Sequence, residues 1–215
     1  QLQRMEFLLG RHQRSFDSFS SILDFGCGFG LFAGRILSLN PNARICGYEV
    51  SAECIDVCRR KYPAGRWVLG ETRPPLPFSN HEFDFIFSYS VFTHLPEDIH
   101  RSWLRELART LKPGGIMAHT IHSEECLKRM ARYSPESLSH YRLPGSLEEF
   151  LRAPLPYHYA IDNPQTPEFG RAIIRKSYVL EEWPRLSGLK ILDYVDGAME
   201  VYPEGCQDLV LLTRY

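Results

Sequence analysis

Three glycines at alternate positions close the run Ile22-Leu23-Asp24-Phe25-Gly26-Cys27-Gly28-Phe29-Gly30. Two apolar residues and an acid lead into them, and an apolar helical pattern (Leu31, Phe32, Ile36, Leu37) follows. This order predicts a strand, a tight turn and a helix start. Glycines at such a turn let the backbone pass close to a ligand, because no Cβ stands in the way.

The alternation continues down the chain. Residues 22–25 read as strand one, with a helix to about Leu39 and a turn at Asn40-Pro41-Asn42. Residues 44–50 read as strand two, and Ser51 caps a helix reaching about Tyr62. Residues 66–69 make a short third strand. Residues 83–88 (Phe-Asp-Phe-Ile-Phe-Ser) are apolar almost throughout, as a strand buried on both faces should be. A helix from Glu97 to Leu111 puts Trp103, Leu104, Leu107 and Leu111 on one face, and Lys112-Pro113-Gly114-Gly115 ends it before a fifth strand at 116–121. A helix near 180–186 and strands at 190–195 and 208–213 close the pattern. The prediction is an α/β domain, doubly wound, with helices on both faces of a mostly parallel sheet.

The alternation pauses at 123–177, a stretch rich in proline and tyrosine and too long for a plain connection. It reads as an inserted, lid-like acceptor cap, containing a helix at 146–151, within a single domain spanning 1–215. With 215 residues the chain is long enough to bury a sizeable core. Its net charge of −1 offers no basic field to gather nucleic acid. No apolar run approaches the ~20 residues that span a bilayer, so no membrane is expected. The six cysteines form no CxxC pair, and no histidine cluster has ligand spacing, so no metal is expected. Free thiols and the lack of a signal-peptide pattern point to a cytoplasmic setting. The chain starts at Gln1 rather than Met, which fits a piece of a longer protein. The oligomeric state is not legible.

Two registers compete for the glycine loop. Gly28-Phe29-Gly30-Leu31-Phe32-Ala33 formally fits the dinucleotide pattern, which would suit an NAD(P)-dependent oxidoreductase. Gly26, Gly28 and Gly30 instead give an alternating set. Glu49 ends strand two, where a carboxylate accepts hydrogen bonds from a ribose diol in either case. The residues alone indicate a nucleoside site.

The ordered set of segments resembles the class I S-adenosylmethionine-dependent methyltransferases. It consists of Leu23 to Gly30, Gly47-Tyr48-Glu49-Val50, Gly70-Glu71-Thr72 before Leu76-Pro77-Phe78, and Phe83 to Ser88. Ser90-Val91-Phe92-Thr93-His94-Leu95 and Leu107 to Gly115 complete it. Gln207 to Leu212 also looks like the last strand of bacterial methyltransferases found with sugar- and polysaccharide-modifying enzymes. The resemblance implies a seven-stranded sheet whose last strand runs antiparallel, with S-adenosylmethionine (leaving as S-adenosylhomocysteine) at the carboxyl ends of strands one, two and four. It implies that Gly26, Cys27, Gly28 and Gly30 pass the methionine part, with Asp24 near its ammonium end. It places Glu49 on the ribose hydroxyls, Val50 on the adenine, Glu71 and Thr72 at the adenine edge, and Ser88 and Tyr89 beside the sulfonium.

Methyl transfer needs alignment and a dry pocket more than protein-borne chemistry. If the acceptor is a hydroxyl, a base helps, and His94, His119 and His122 are the candidates, with His122 nearest the catalytic edge and His94 next. No (Asp/Asn)-Pro-Pro-(Tyr/Phe) run follows strand four, which argues against amino-methylation of DNA bases. The expectation is methyl transfer to a small molecule, on a hydroxyl or carboxyl of a sugar or secondary metabolite. A non-catalytic binding or regulatory domain of the same fold is the alternative.

Overall fold

A computed structural model describes residues 2–202 and 205–215. The side chains at 199–206 lie outside the described set, and with them Cys206. The described residues form a seven-stranded sheet of β1 (Ser21–Phe25), β2 (Arg44–Glu49), β3 (Arg66–Leu69), β4 (Phe83–Ser88), β5 (Leu111–Ile121), β8 (Lys190–Tyr202) and β9 (Gly205–Thr213). The order is β3-β2-β1-β4-β5-β9-β8. The β1–β2, β1–β4, β2–β3 and β4–β5 pairs are parallel, whereas β9 runs antiparallel to both β5 and β8. The antiparallel ending matches the sequence expectation and departs from the extra parallel pair expected of a nicotinamide-binding domain. A separate hairpin, β6 (Tyr157–Ile161) with β7 (Gly170–Ile174), lies within the 123–177 segment.

Side-chain alternation sorts the core into two halves. Leu23, Ile86 and Met117 face one cluster, which holds Trp103 and Leu104 of α4 (Glu97–Thr110) and Trp183 of α7 (Lys176–Ser187). Ile22, Phe85, Phe87 and Ala118 face the other, built with α1 (Leu2–Gly10), α2 (Leu31–Leu39) and α3 (Ala52–Lys61). Burial on both faces explains why β4 reads as a continuous apolar run. Ser51 caps α3 as expected, its Oγ accepting from the Cys54 amide at 3.4 Å.

Several boundaries differ from the sequence reading: β8 runs on past the expected 190–195 to Tyr202, and β9 begins at Gly205 rather than 208. β5 starts at Leu111, five residues early, because Leu111 pairs with Phe83. The Pro-Gly-Gly stretch is absorbed as an irregularity, with Gly114 at φ +73°. α7 starts at Lys176 and carries Pro184 inside it. The 123–177 segment contains α5 (Glu124–Tyr133), a 3-10 stretch Pro135–Tyr141 and α6 (Leu147–Arg152). These pack around a small core of their own that includes Cys126, Leu127, Tyr141, Phe150 and Ile173. Among the described residues no helix is long and apolar enough to cross a membrane.

Candidate functional site

Parallel β1, β2 and β4 deliver their carboxyl ends to the same edge of the sheet, and the chain leaving them encloses a cavity of about 240 Å3. The glycine loop forms one wall. Gly26 sits at φ +77°, and a Cβ there would lie 2.2 Å from Val91 Cγ2, so no other residue fits. Gly28, at φ +50°, has open space where its Cβ would be, so a ligand can approach the backbone directly. Gly30 is the N-cap of α2, its own amide held by the Cys27 carbonyl at 2.8 Å.

The next wall is Glu49. Its Oε2 accepts from the Gly28 amide at 3.0 Å, and Oε1 accepts from the amides of Val50 (2.7 Å) and Ser51 (3.0 Å). Three backbone donors fix this carboxylate at the cavity wall beside half-exposed Val50. Two aromatic side chains secure the loop after β3. Tyr48 Oη donates to the Glu71 carbonyl (3.0 Å) and accepts from its amide (2.8 Å), and Trp103 Nε1 donates to the Thr72 carbonyl (3.0 Å). Tyr48, Trp103 and Phe25 also form an apolar floor, with Phe25 and Trp103 ring centroids 4.8 Å apart. The sequence reading gave none of the three a site role, since core aromatics on strands and helices carry no site signature.

Asp24, just before the glycine loop, is buried, and its Oδ2 has no hydrogen-bond partner among the described residues. Burial pushes its carboxyl up to about 8, the Ala33 amide offsets part of this, and the charge of Glu49 adds to it. A cationic group brought by a ligand would satisfy that oxygen. Cys27 is buried with its thiol directed at the Gly28 carbonyl (3.8 Å), and burial raises its pKa. Neither side chain lines the cavity.

Beyond β4, Tyr89, Ser90, Val91 and His94 complete the wall, and Glu168 and Phe169 of the 123–177 segment face them. Ser88 does not reach the cavity: it is fully buried, its Oγ paired with His119 Nδ1 at 2.8 Å. Ser90 holds φ +58°, strained for a residue with a Cβ, and is kept there by Thr120 Oγ1 on its amide (2.8 Å) and Gln207 Nε2 on its hydroxyl. Nothing in the sequence signals that strain.

The histidines separate clearly. His94 lines the cavity, and its Nδ1–H donates to the Gly170 carbonyl at 2.7 Å, which leaves Nε2 as the basic nitrogen. Burial lowers its pKa, so it is neutral at pH 7. His122, which follows β5 directly, is not among the residues lining the cavity; its Nδ1 lies 2.9 Å from Tyr141 Oη, and burial pushes it down to about 3. His119 is fully buried and also falls to about 3. Against the expectation that His122 lies nearest the catalytic edge, His94 is the one exposed to the cavity. Among the described residues no group of His, Cys, Asp and Glu gathers at metal-binding spacing.

Comparison with known proteins agrees with this arrangement. Residues 22–115 match the family described as a methyltransferase domain. Trans-aconitate 2-methyltransferase of Azoarcus sp. (strain BH72) is 28% identical over 185 residues, covering 81% of this chain and 70% of that protein. Malonyl-[acyl-carrier protein] O-methyltransferase of Hahella chejuensis is 33% identical over 96 residues, 44% of this chain but only 33% of that protein. The crystal structure of Burkholderia thailandensis 1,6-didemethyltoxoflavin-N1-methyltransferase, solved with S-adenosylhomocysteine, superposes with a TM-score of 0.62. It does so at 12% identity, covering 99% of this chain and 87% of that one, a likeness of fold alone. The glycine loop, the strand-two acid, the antiparallel β9 and these relatives together place the chain in the class I S-adenosylmethionine-dependent methyltransferases.

Proposed function

We propose that this domain methylates an oxygen, hydroxyl or carboxyl, of a small molecule bound between the end of β4 and the 123–177 segment, which acts as the acceptor cap. The supporting observation is the shared wall: strand-end residues Glu49, Val50, Tyr89 and His94 and segment residues Glu168 and Phe169 enclose one cavity. The names of the two sequence relatives point to acids as acceptors. A net charge of −1 supplies no attraction for nucleic acid.

The residues present fit S-adenosylmethionine on the orphaned Oδ2 of Asp24 and the open space over Gly28. Gly26, Gly28 and Gly30 would pass its methionine carboxylate, Asp24 its ammonium, Glu49 its ribose hydroxyls, and Val50, Glu71 and Thr72 its adenine. When bound, the cofactor supplies an electrophilic methyl on a sulfonium. Tyr89, Phe25 and Trp103 exclude water, which strengthens alignment and charge contacts. His94 Nε2 can take a proton from a hydroxyl acceptor; a carboxylate acceptor needs no base.

Calorimetric titration with S-adenosylhomocysteine tests the reading. Glu49→Ala is expected to weaken binding by ~1.5–3 kcal/mol, the loss of charge-assisted hydrogen bonds. Unchanged affinity would mean the carboxylate serves only the backbone amides around it. Turnover on a panel of hydroxyl and carboxyl acceptors then separates the enzyme from a non-catalytic binding domain.

The same titration probes Asp24. At pH 6.5 an α-amino group is protonated and a carboxyl with a pKa of about 8 is neutral. Meeting the ammonium would ionise Asp24, so binding should release about one proton, seen as a dependence of the heat on buffer ionisation enthalpy. Affinity should rise with pH up to about 8. A proton count of zero would place the ammonium elsewhere.

A further inference from the structure

Phe169 ends the turn between β6 and β7 and lines the cavity, yet 41% of it is exposed. It belongs to none of the three apolar clusters of the core. Val50, at the exit of β2, is the other half-exposed apolar residue on the same wall, at 39%. A large apolar ring that faces a cavity uncovered is surface for a ligand to bury.

Hydrogen bonds give the turn a defined path across the strand ends. The Phe169 amide donates to the Thr166 carbonyl at 3.0 Å, and Tyr159 Oη donates to the Pro167 carbonyl at 2.9 Å. One residue on, the Gly170 amide donates to the His94 carbonyl at 3.3 Å, which ties the turn to the exit of β4. On its other side, Pro167 and Glu168 share a second cavity, of about 350 Å3, with Thr72 and Arg73 of the loop after β3. The turn therefore reaches from the exit of β4 to the exit of β3. Val50, Glu71 and Thr72, the residues proposed for the adenine, lie on the cavity wall along that path.

We infer that Phe169 covers the adenosine end of the methyl-donor site, so that the 123–177 segment completes the cofactor site as well as the acceptor site. This deepens the proposed function and rests on its S-adenosylmethionine reading. Glu49 and Glu71 can satisfy the polar edges of an adenosine, but its flat faces need apolar cover. Val50 supplies such cover from β2, and Phe169 supplies it from the turn. A purine face stacks well on an aromatic ring. The wall by His94 stays with the acceptor.

The test is calorimetric titration of the whole chain with S-adenosylhomocysteine, joined to NMR of the complex. Phe169→Ala should weaken binding ~10-fold or more, and Phe169→Tyr should regain most of the loss. The denaturation midpoint of the free protein should hardly change, because the ring lies outside the core. In the parent complex the C2 or C8 proton of the adenine should show an NOE to an aromatic ring, and Phe169→Leu should abolish it. The inference is overturned if Phe169→Ala binds as tightly as the parent, or if the NOE is absent from the parent or survives in Phe169→Leu. A parent that binds S-adenosylhomocysteine through Glu49 but is indifferent to Phe169 overturns this inference alone. A parent that does not bind it at all overturns the methyl-donor reading and this inference together.

Discussion

Lowering the pH from 7 to 5 should cost the domain about 3 kcal/mol of stability net. His100, His119 and His122 are buried and neutral, each pushed down to about 3 by loss of hydration. In the unfolded chain a histidine protonates near 6.5. Between these values the unfolded state binds more protons, so stability is full above 6.5 and is lost as the pH falls through that value toward 3. At pH 5 each histidine costs about 2 kcal/mol. Asp24 works the other way. Its folded pKa of about 8 lies above the unfolded value, so the folded state gains protons and recovers roughly 3 kcal/mol of the loss over the same interval. Three histidines outweigh one carboxyl, and 3 kcal/mol is a large part of the 5–15 that a domain of this kind has.

The local chemistry explains why these rings stay neutral. Tyr157 Oη gives its proton to the Leu95 carbonyl at 2.8 Å, so His100 Nδ1 must donate to it at 3.2 Å. The Nε2 atoms of His100 and His119 have no partner among the described residues, and the Phe92 ring lies 4.8 Å from both, edge-on to His100 and tilted against His119. Among the described residues no carboxylate is paired with either ring to offset a second proton's charge. Urea denaturation across pH 7.5 to 4.5 measures the slope, and His119→Gln should reduce it by about one proton below pH 6. Stability that stays flat from pH 7 to 5 would contradict the prediction.

Trp103→Ala should cost the fold ~3–5 kcal/mol. Trp103 is 1% exposed and packs against both Phe25 and Tyr48, with ring centroids at 4.8 and 5.7 Å. Its indole N–H also holds the Thr72 carbonyl. Truncation therefore opens a hole under the cavity floor and frees the loop that carries Glu71 and Thr72. Trp103→Phe keeps most of the volume and loses the hydrogen bond, so it should cost ~1–2 kcal/mol while still loosening that loop. Denaturation midpoints give the stability loss, and S-adenosylhomocysteine affinity gives the loop effect. If Trp103→Phe binds as tightly as the parent, Tyr48 alone secures the loop.

The strands were legible because their burial writes itself into the sequence. β3 and β4 fall where the apolar runs placed them, and the start of β5 was misread because Pro113 and the glycines look like a helix stop. The antiparallel β9 came from family likeness, since Asp208 to Thr213 carries no sign of its direction. Of the residues singled out for the site, Gly26, Glu49, Val50, Glu71, Thr72, Tyr89 and His94 share the cavity wall. The loop pattern could locate them because each follows a strand end closely in sequence. Tyr48, Trp103 and Phe169 were out of reach. Their positions depend on how β2, α4 and the 123–177 segment pack, and that is long-range information.

β7 takes backbone partners from two strand exits at once. Ala172 N bonds the Thr93 carbonyl at 2.8 Å, Ile174 N bonds the His122 carbonyl at 2.9 Å, and both side chains are part of the main core. A swing of the whole 123–177 segment would have to break this ladder and pull two residues out of the interior. The part of the segment free to move at the cavity is then much smaller, the turn from Asp162 to Phe169 that joins β6 to β7. Its residues are mostly exposed and it carries Glu168 and Phe169 at the cavity rim. If the proposed acceptor pocket holds, changing this one hairpin turn should alter acceptor choice while the buttress behind it stays fixed.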